Sequence, residues 1–103
     1  MRLVYIYHSG FIIEAEGFSM IIDYYKDTST EYGKGLVHDY FLKSAKPLYV
    51  LSSHAHPDHF NPEILDWKNQ NSNIRYLFSK DILGRRGVTA SDACFLNKGG
   101  GFL

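Results

Sequence analysis

Three imidazoles and one carboxylate stand within six residues, in the run His54-Ala55-His56-Pro57-Asp58-His59. Neutral imidazole and carboxylate are preferred nitrogen and oxygen donors for Zn2+. In a tight turn alternate side chains converge, so His54 and His56 project to one side. Asp58 and His59 are displaced onto the next part of the turn. That spacing suits two adjacent metal positions better than one. Pro57 stiffens the turn and restricts the residues before it to extended backbone. A solvated, histidine-rich loop is the competing reading, and the flanking elements argue against it.

Those elements are legible in the residue pattern. Leu48 to Leu51 is a continuous apolar run, as expected of a buried parallel strand. Ser52-Ser53 ends it, which places the histidines at the strand's carboxyl end, where ligand sites of α/β sheets gather. Behind them, Asn61-Pro62-Glu63 is a helix start: Asn caps, Pro suits the first helical position and Glu complements the dipole. That helix is expected to reach about Asn69. Upstream, Leu3 to Tyr7, Phe11 to Ala15 and Phe18 to Ile22 read as strands of an antiparallel meander. Glu16-Gly17 is the hairpin turn, with Gly17 supplying positive φ. Leu36 to Ala45 carries Val37, Tyr40, Phe41 and Ser44 at helical spacing. Ile74 to Phe78 and Ala93 to Leu96 are further strands, and Asp81 to Gly84 is a helical turn. The class is α/β (α+β): a mixed sheet with an antiparallel N-terminal meander and helices on one face, in a single domain over residues 1–103.

Composition narrows the function. Hydrophobic residues make up 45% and charged residues 21% of the chain, the balance of a folded globular protein. Formal net charge is zero, and Arg85-Arg86 is the densest basic spot, so no basic stripe exists for a nucleic-acid backbone. A small anionic substrate stays compatible. No apolar run approaches the roughly 18 residues that span a bilayer, and the amino terminus is too polar for a signal peptide. A single cysteine, Cys94, excludes an internal disulfide and fits a cytoplasmic location.

The run His54 to His59 matches the HxHxDH motif, and the chain resembles the metallo-β-lactamase superfamily. Tyr49-Val50-Leu51-Ser52-Ser53 looks like the strand that leads into that motif. His8-Ser9 after the first strand, and Ile21-Ile22-Asp23 at the end of the third, are similar to the "GHxS … ILID" pattern of the ascorbate-6-phosphate-lactonase-like branch. The resemblance covers residues 1 to about 80, all in the family's N-terminal half. It implies that His54 and His56 bind a first zinc ion, and that Asp58 and His59 bind a second. Asp58 also orients the bridging hydroxide, which makes it the catalytic residue. Asp23 is implied as a buried acceptor that steadies the motif loop, and His8 as a neighbour of the metal cleft. Zn2+ is the implied cofactor, one ion or two, with Mn2+ and Fe2+ as alternatives. The implied activity is hydrolysis of an ester, lactone or phosphoester.

The family pattern also needs downstream ligands, and none of the five histidines follows residue 59. The later carboxylates are Glu63, Asp66, Asp81 and Asp92, of which Asp92 is the one to consider for recruitment. The expectation is the N-terminal half of an αβ/βα sandwich, truncated, with weak or no activity alone. One sheet face would then be bare. A non-enzymatic remnant or interaction module is the alternative, dimerising or docking through that face. A homo-oligomer or a partner supplying the missing half follows from the same reasoning. His38 is expected on a solvated helix surface, Cys94 in the core, Tyr24 in core packing, and Lys80, Arg85 and Arg86 on a solvated turn.

Overall fold

The computed structural model describes residues 1–6, 10–28, 35–57, 59–85 and 88–96. Six strands form one sheet in sequence order: β1 (Arg2–Tyr5), β2 (Phe11–Glu14), β3 (Ser19–Ile22), β4 (Leu48–Ser52), β5 (Ile74–Ser79) and β6 (Cys94–Leu96). β1, β2 and β3 pair antiparallel; β3 to β6 pair parallel. The expected mixed sheet and N-terminal meander are therefore both present. The hairpin closes at Glu16-Gly17 through the Ala15 amide, which donates to the Phe18 carbonyl at 2.9 Å. Gly17 does not take positive φ, contrary to the sequence expectation; among the described glycines Gly35 and Gly84 do.

Helical segments occupy the crossovers. α1 is a single turn, Leu36–Asp39, followed by a 3₁₀ turn at Phe41–Lys43. The expected continuous helix breaks at Tyr40, whose φ of −124° is not helical and whose side chain is exposed. The amides of Val37 and His38 are capped from outside α1 by the carboxylate of Asp27, each at 2.8 Å. The helix expected after the motif spans Pro62–Asn69 and is wound as 3₁₀. Its start is as read: the Asn61 side chain accepts from the Glu63 amide at 3.0 Å. In a 3₁₀ helix residues three apart eclipse, which brings buried Ile64 and Trp67 onto one edge.

Strand alternation divides the sheet into unlike faces. Ile12, Ile21, Val50 and Tyr76 lie in one register row, with Leu48 and Ile74 in the next, and all are buried. They share one core with Val37, Phe41, Leu42, Phe60, Ile64, Trp67 and Ile82 from the helical and loop segments. The Tyr76 hydroxyl donates to the Ile64 carbonyl and ties the 62–69 helix to the sheet. The opposite face carries Leu3, Tyr5, Phe11, Ile13, Met20, Ile22, Tyr49, Leu51 and Leu77, and none of these is buried. Leu3 is 67% and Tyr5 56% exposed. Cys94 pairs with Leu77 and lies on this open face, so it is exposed and not a core cysteine as expected. Strand alternation is the reason: the next residue, Phe95, takes the core-facing side of β6.

The asymmetry predicts unequal tolerance to truncation. Phe78→Ala, inside the core, is expected to cost about 3–5 kcal/mol in denaturant unfolding. Leu3→Ala, on the open face, should stay within about 0.5 kcal/mol.

Candidate metal site

β4 lies between β3 and β5 and stops at Ser52, while the chain continues as an irregular turn. Its amides then need acceptors other than the sheet ladder. On the β3 side they find Asp23, the residue after Ile22. Asp23 holds a left-handed backbone, φ 52°, which Asp tolerates better than most residues. Its own amide still donates to the Leu51 carbonyl at 2.8 Å. The turned backbone sends the carboxylate toward the motif, where it is 7% exposed. Oδ1 accepts from the Ser53 amide and Oδ2 from the Ser53 hydroxyl, each at 2.6 Å. The His59 Nδ1 meets Oδ2 at 3.0 Å. One side chain thus grips both ends of the motif.

The network also assigns a tautomer. Ser53 has one hydroxyl proton, and the carboxylate can only accept, so that proton goes to Asp23. The remaining contact, Ser53 Oγ to His54 Nδ1 at 2.9 Å, must then use the imidazole proton. His54 is an Nδ1–H donor, and in the neutral ring its lone pair sits on Nε2. His59 is held through Nδ1 in the same sense, by a carboxylate. A ring anchored this way ligates metal through Nε2.

The turn itself is closed by the His56 carbonyl, which accepts from the His59 and Phe60 amides at 2.9 Å each. Phe60 is fully buried, edge-on to Phe78 with centroids 5.4 Å apart, and fixes the turn to the core. His54 and His56 are exposed and nearly parallel, centroids 6.2 Å apart. His54 and His59 approach to 4.9 Å.

A second carboxylate reaches the turn from the β5 side. Asp81, in the 3₁₀ turn Lys80–Ile82, accepts from the Ala55 amide at 3.0 Å through Oδ2. The Ser79 hydroxyl donates to its Oδ1. What little burial this exposed carboxyl has would raise it; the Ser79 hydroxyl and the Ala55 amide outweigh that and hold it below the usual carboxylate range. Ala55, His56, Pro57, Asp81, Gly84 and Arg85 line a cavity of about 470 Å³ beside the turn.

The structure thus brings His54, His56, His59 and Asp23 together. Asp58 and His8 lie outside the described residues. Among the described residues no group of three or more His, Cys, Asp or Glu side chains is gathered closely enough to hold a metal ion. The donor chemistry fits a zinc site, since the His54 and His59 rings are anchored by a hydroxyl and a carboxylate; the described donors alone do not complete one. Asp92 does not join them. It sits ahead of β6, at the other end of the sheet, and accepts from the Thr89 amide at 2.7 Å.

Two residues escaped the sequence reading. Sequence marks Asp81 as a downstream carboxylate and the start of a helical turn, but not as a partner of the motif, although its place just after β5 mirrors that of Asp23 just after β3. His38 is not a solvated surface residue. Its Nδ1 lies 2.5 Å from Asp27 Oδ2 and its Nε2 3.3 Å from Glu63 Oε2. Its ring stands edge-on to Tyr24 and Trp67. Tyr24 itself is buried core, as expected. Burial, and then the neighbouring Glu63 carboxylate, raise its phenol far above the usual tyrosine range. Lys80 and Arg85 are exposed, as expected, while Arg86 lies outside the described residues.

A family model described as beta-lactamase superfamily domain matches residues 2–99. Comparison with curated proteins gave no match, and comparison with solved structures gave none. The mixed six-stranded sheet with few helices agrees with part of a metallo-β-lactamase fold. With nearly its whole length matched, the chain belongs to the beta-lactamase superfamily domain family.

Proposed function

We propose that this chain carries the metal-binding half-site of a metal-dependent hydrolase. The observation that supports it most is the grip of Asp23 on Ser53 and His59, with Ser53 setting the His54 tautomer. Carboxylate and hydroxyl partners behind imidazoles are the arrangement that orients metal-ligating histidines and raises their basicity. A surface loop has no need of a buried carboxylate in a left-handed conformation.

In this reading His54 and His56 hold one Zn2+, and His59 with Asp58 serves a second position; Mn2+ or Fe2+ would suit the same donors. When bound, the metal supplies Lewis acidity and a water acidic enough to attack near neutral pH. The chain's own residues fix the imidazole lone pairs, and Pro57 and Phe60 hold the turn. The substrate is a small ester, lactone or phosphoester, in keeping with the lactonase-like branch. Arg85, lining the cavity beside His56, favours an anionic one. The remaining donors lie outside the described residues, with a second copy or a partner as one source, and the described residues by themselves support weak activity or none. No helix among the described residues is long and apolar enough to cross a membrane. With its single cysteine, the cytoplasm is the location we assign.

Metal content after dialysis tests this reading. The expected result is zinc retained by the protein and lost in His56→Ala. Equal metal in both would remove the motif as a site. Asp23→Ala should weaken zinc binding by about 10–100-fold. It should also cost about 2 kcal/mol or more in unfolding, because it strips the Ser53 amide of its acceptor. Unchanged zinc affinity in that variant would separate Asp23 from the metal.

A second reading rests on the open sheet face, where Leu3, Tyr5 and Phe11 are 67%, 56% and 37% exposed. Here the chain is a non-enzymatic module that pairs with a second copy through this face. Zero net charge leaves no long-range repulsion between copies. Sedimentation equilibrium should then show a dimer that Tyr5→Lys with Phe11→Lys abolishes; a monomer at all concentrations contradicts it.

A further inference from the structure

We propose that Asp81 is a positioning residue for the motif turn, acting as a second clamp opposite Asp23; the proposal rests on the reading of that turn as a metal site. β4 has two neighbours, and after Ser52 it loses both. Asp23 at the end of β3 takes over the Ser53 amide, and Asp81 just past the end of β5 takes over the Ala55 amide. Ala55 stands between His54 and His56. Fixing its amide therefore fixes the dihedrals that aim both rings. The neighbouring chain then leaves through the turn closed on the His56 carbonyl.

Asp81 is itself held for this task. The Ser79 hydroxyl occupies Oδ1 and leaves Oδ2 for Ala55. Next in sequence, Ile82 is fully buried and anchors the 3₁₀ turn in the core. The carboxylate is therefore the end of a rigid path from the core to the motif. Asp81 itself is exposed. Its loss lets water reach the Ala55 amide, so the effect falls on the shape of the turn and little on global stability.

The test compares Asp81→Ala and Asp81→Asn with the wild-type chain. Amide hydrogen exchange, read without metal, should show Ala55 exchanging at least about tenfold faster in Asp81→Ala, with Ser53 unchanged. Zn2+ affinity, read by competition with a chelator, should fall about tenfold or more. Asp81→Asn keeps an acceptor for Ala55 and should restore both; if the alanine variant fails to fold, Asp81→Ser, whose shorter side chain withdraws from the Ala55 amide, stands in for it with the same expected losses. Ala55 protection unchanged in Asp81→Ala would overturn the proposal. So would equal loss of protection at Ser53, which would mean general loosening. A wild-type chain that takes up no Zn2+ would sink the hydrolase reading alone, because Ala55 protection is measured without metal.

Discussion

When a central parallel strand ends before its neighbours' chains have moved away, its next amides have lost their ladder partners and are not yet in open water. Everything at the candidate site follows from how this constraint is met. The chain after β4 meets it with carboxylates rather than carbonyls. Asp23 takes the Ser53 amide at 2.6 Å and Asp81 the Ala55 amide at 3.0 Å. A carboxylate has acceptor capacity to spare, and Asp23 uses it on the Ser53 hydroxyl and the His59 ring. The need to satisfy a strand end and the need to orient imidazoles are thus met by the same oxygens. Left-handed backbone at Asp23 is the local cost, and a charge-assisted network offsets it.

Much of the fold was legible because the patterns are strong. Apolar, aromatic and β-branched runs mark six strands with ends within a residue or two. Asn61-Pro62-Glu63 carried its own cap, and the Asn61 side chain makes the expected bond. What failed was tertiary in origin. Helical spacing from Leu36 to Ala45 is real, yet Asp27 captures the first amides from a distance and Tyr40 turns outward, so the helix breaks. His38 looked like helix surface because nothing in its neighbourhood of sequence announces Asp27 or Glu63 as partners. Asp81 sits 26 residues from Ala55, and only the strand order makes it a counterpart of Asp23. Cys94 was misplaced because an apolar neighbourhood in sequence does not say which sheet face a residue takes.

The two faces of the sheet explain a further mismatch. Leu48 to Leu51 reads as a strand buried on both sides, while Tyr49 and Leu51 are only half-buried in the structure. Residues of this apolar character on both faces belong to a sheet covered on both faces. The helical layer covers one. The face that carries Leu3, Tyr5 and Phe11 is thus apolar in sequence yet open among the described residues.

The most direct test of the account is long-range proton–nitrogen NMR of the imidazoles, recorded without metal and then with Zn2+. The expected spectra show the Nδ1–H tautomer for His54 and His59 in the metal-free protein, and a Zn2+-induced shift at Nε2 of His54, His56 and His59. Nε2–H tautomers at His54 and His59, or spectra that Zn2+ leaves unchanged, would contradict it.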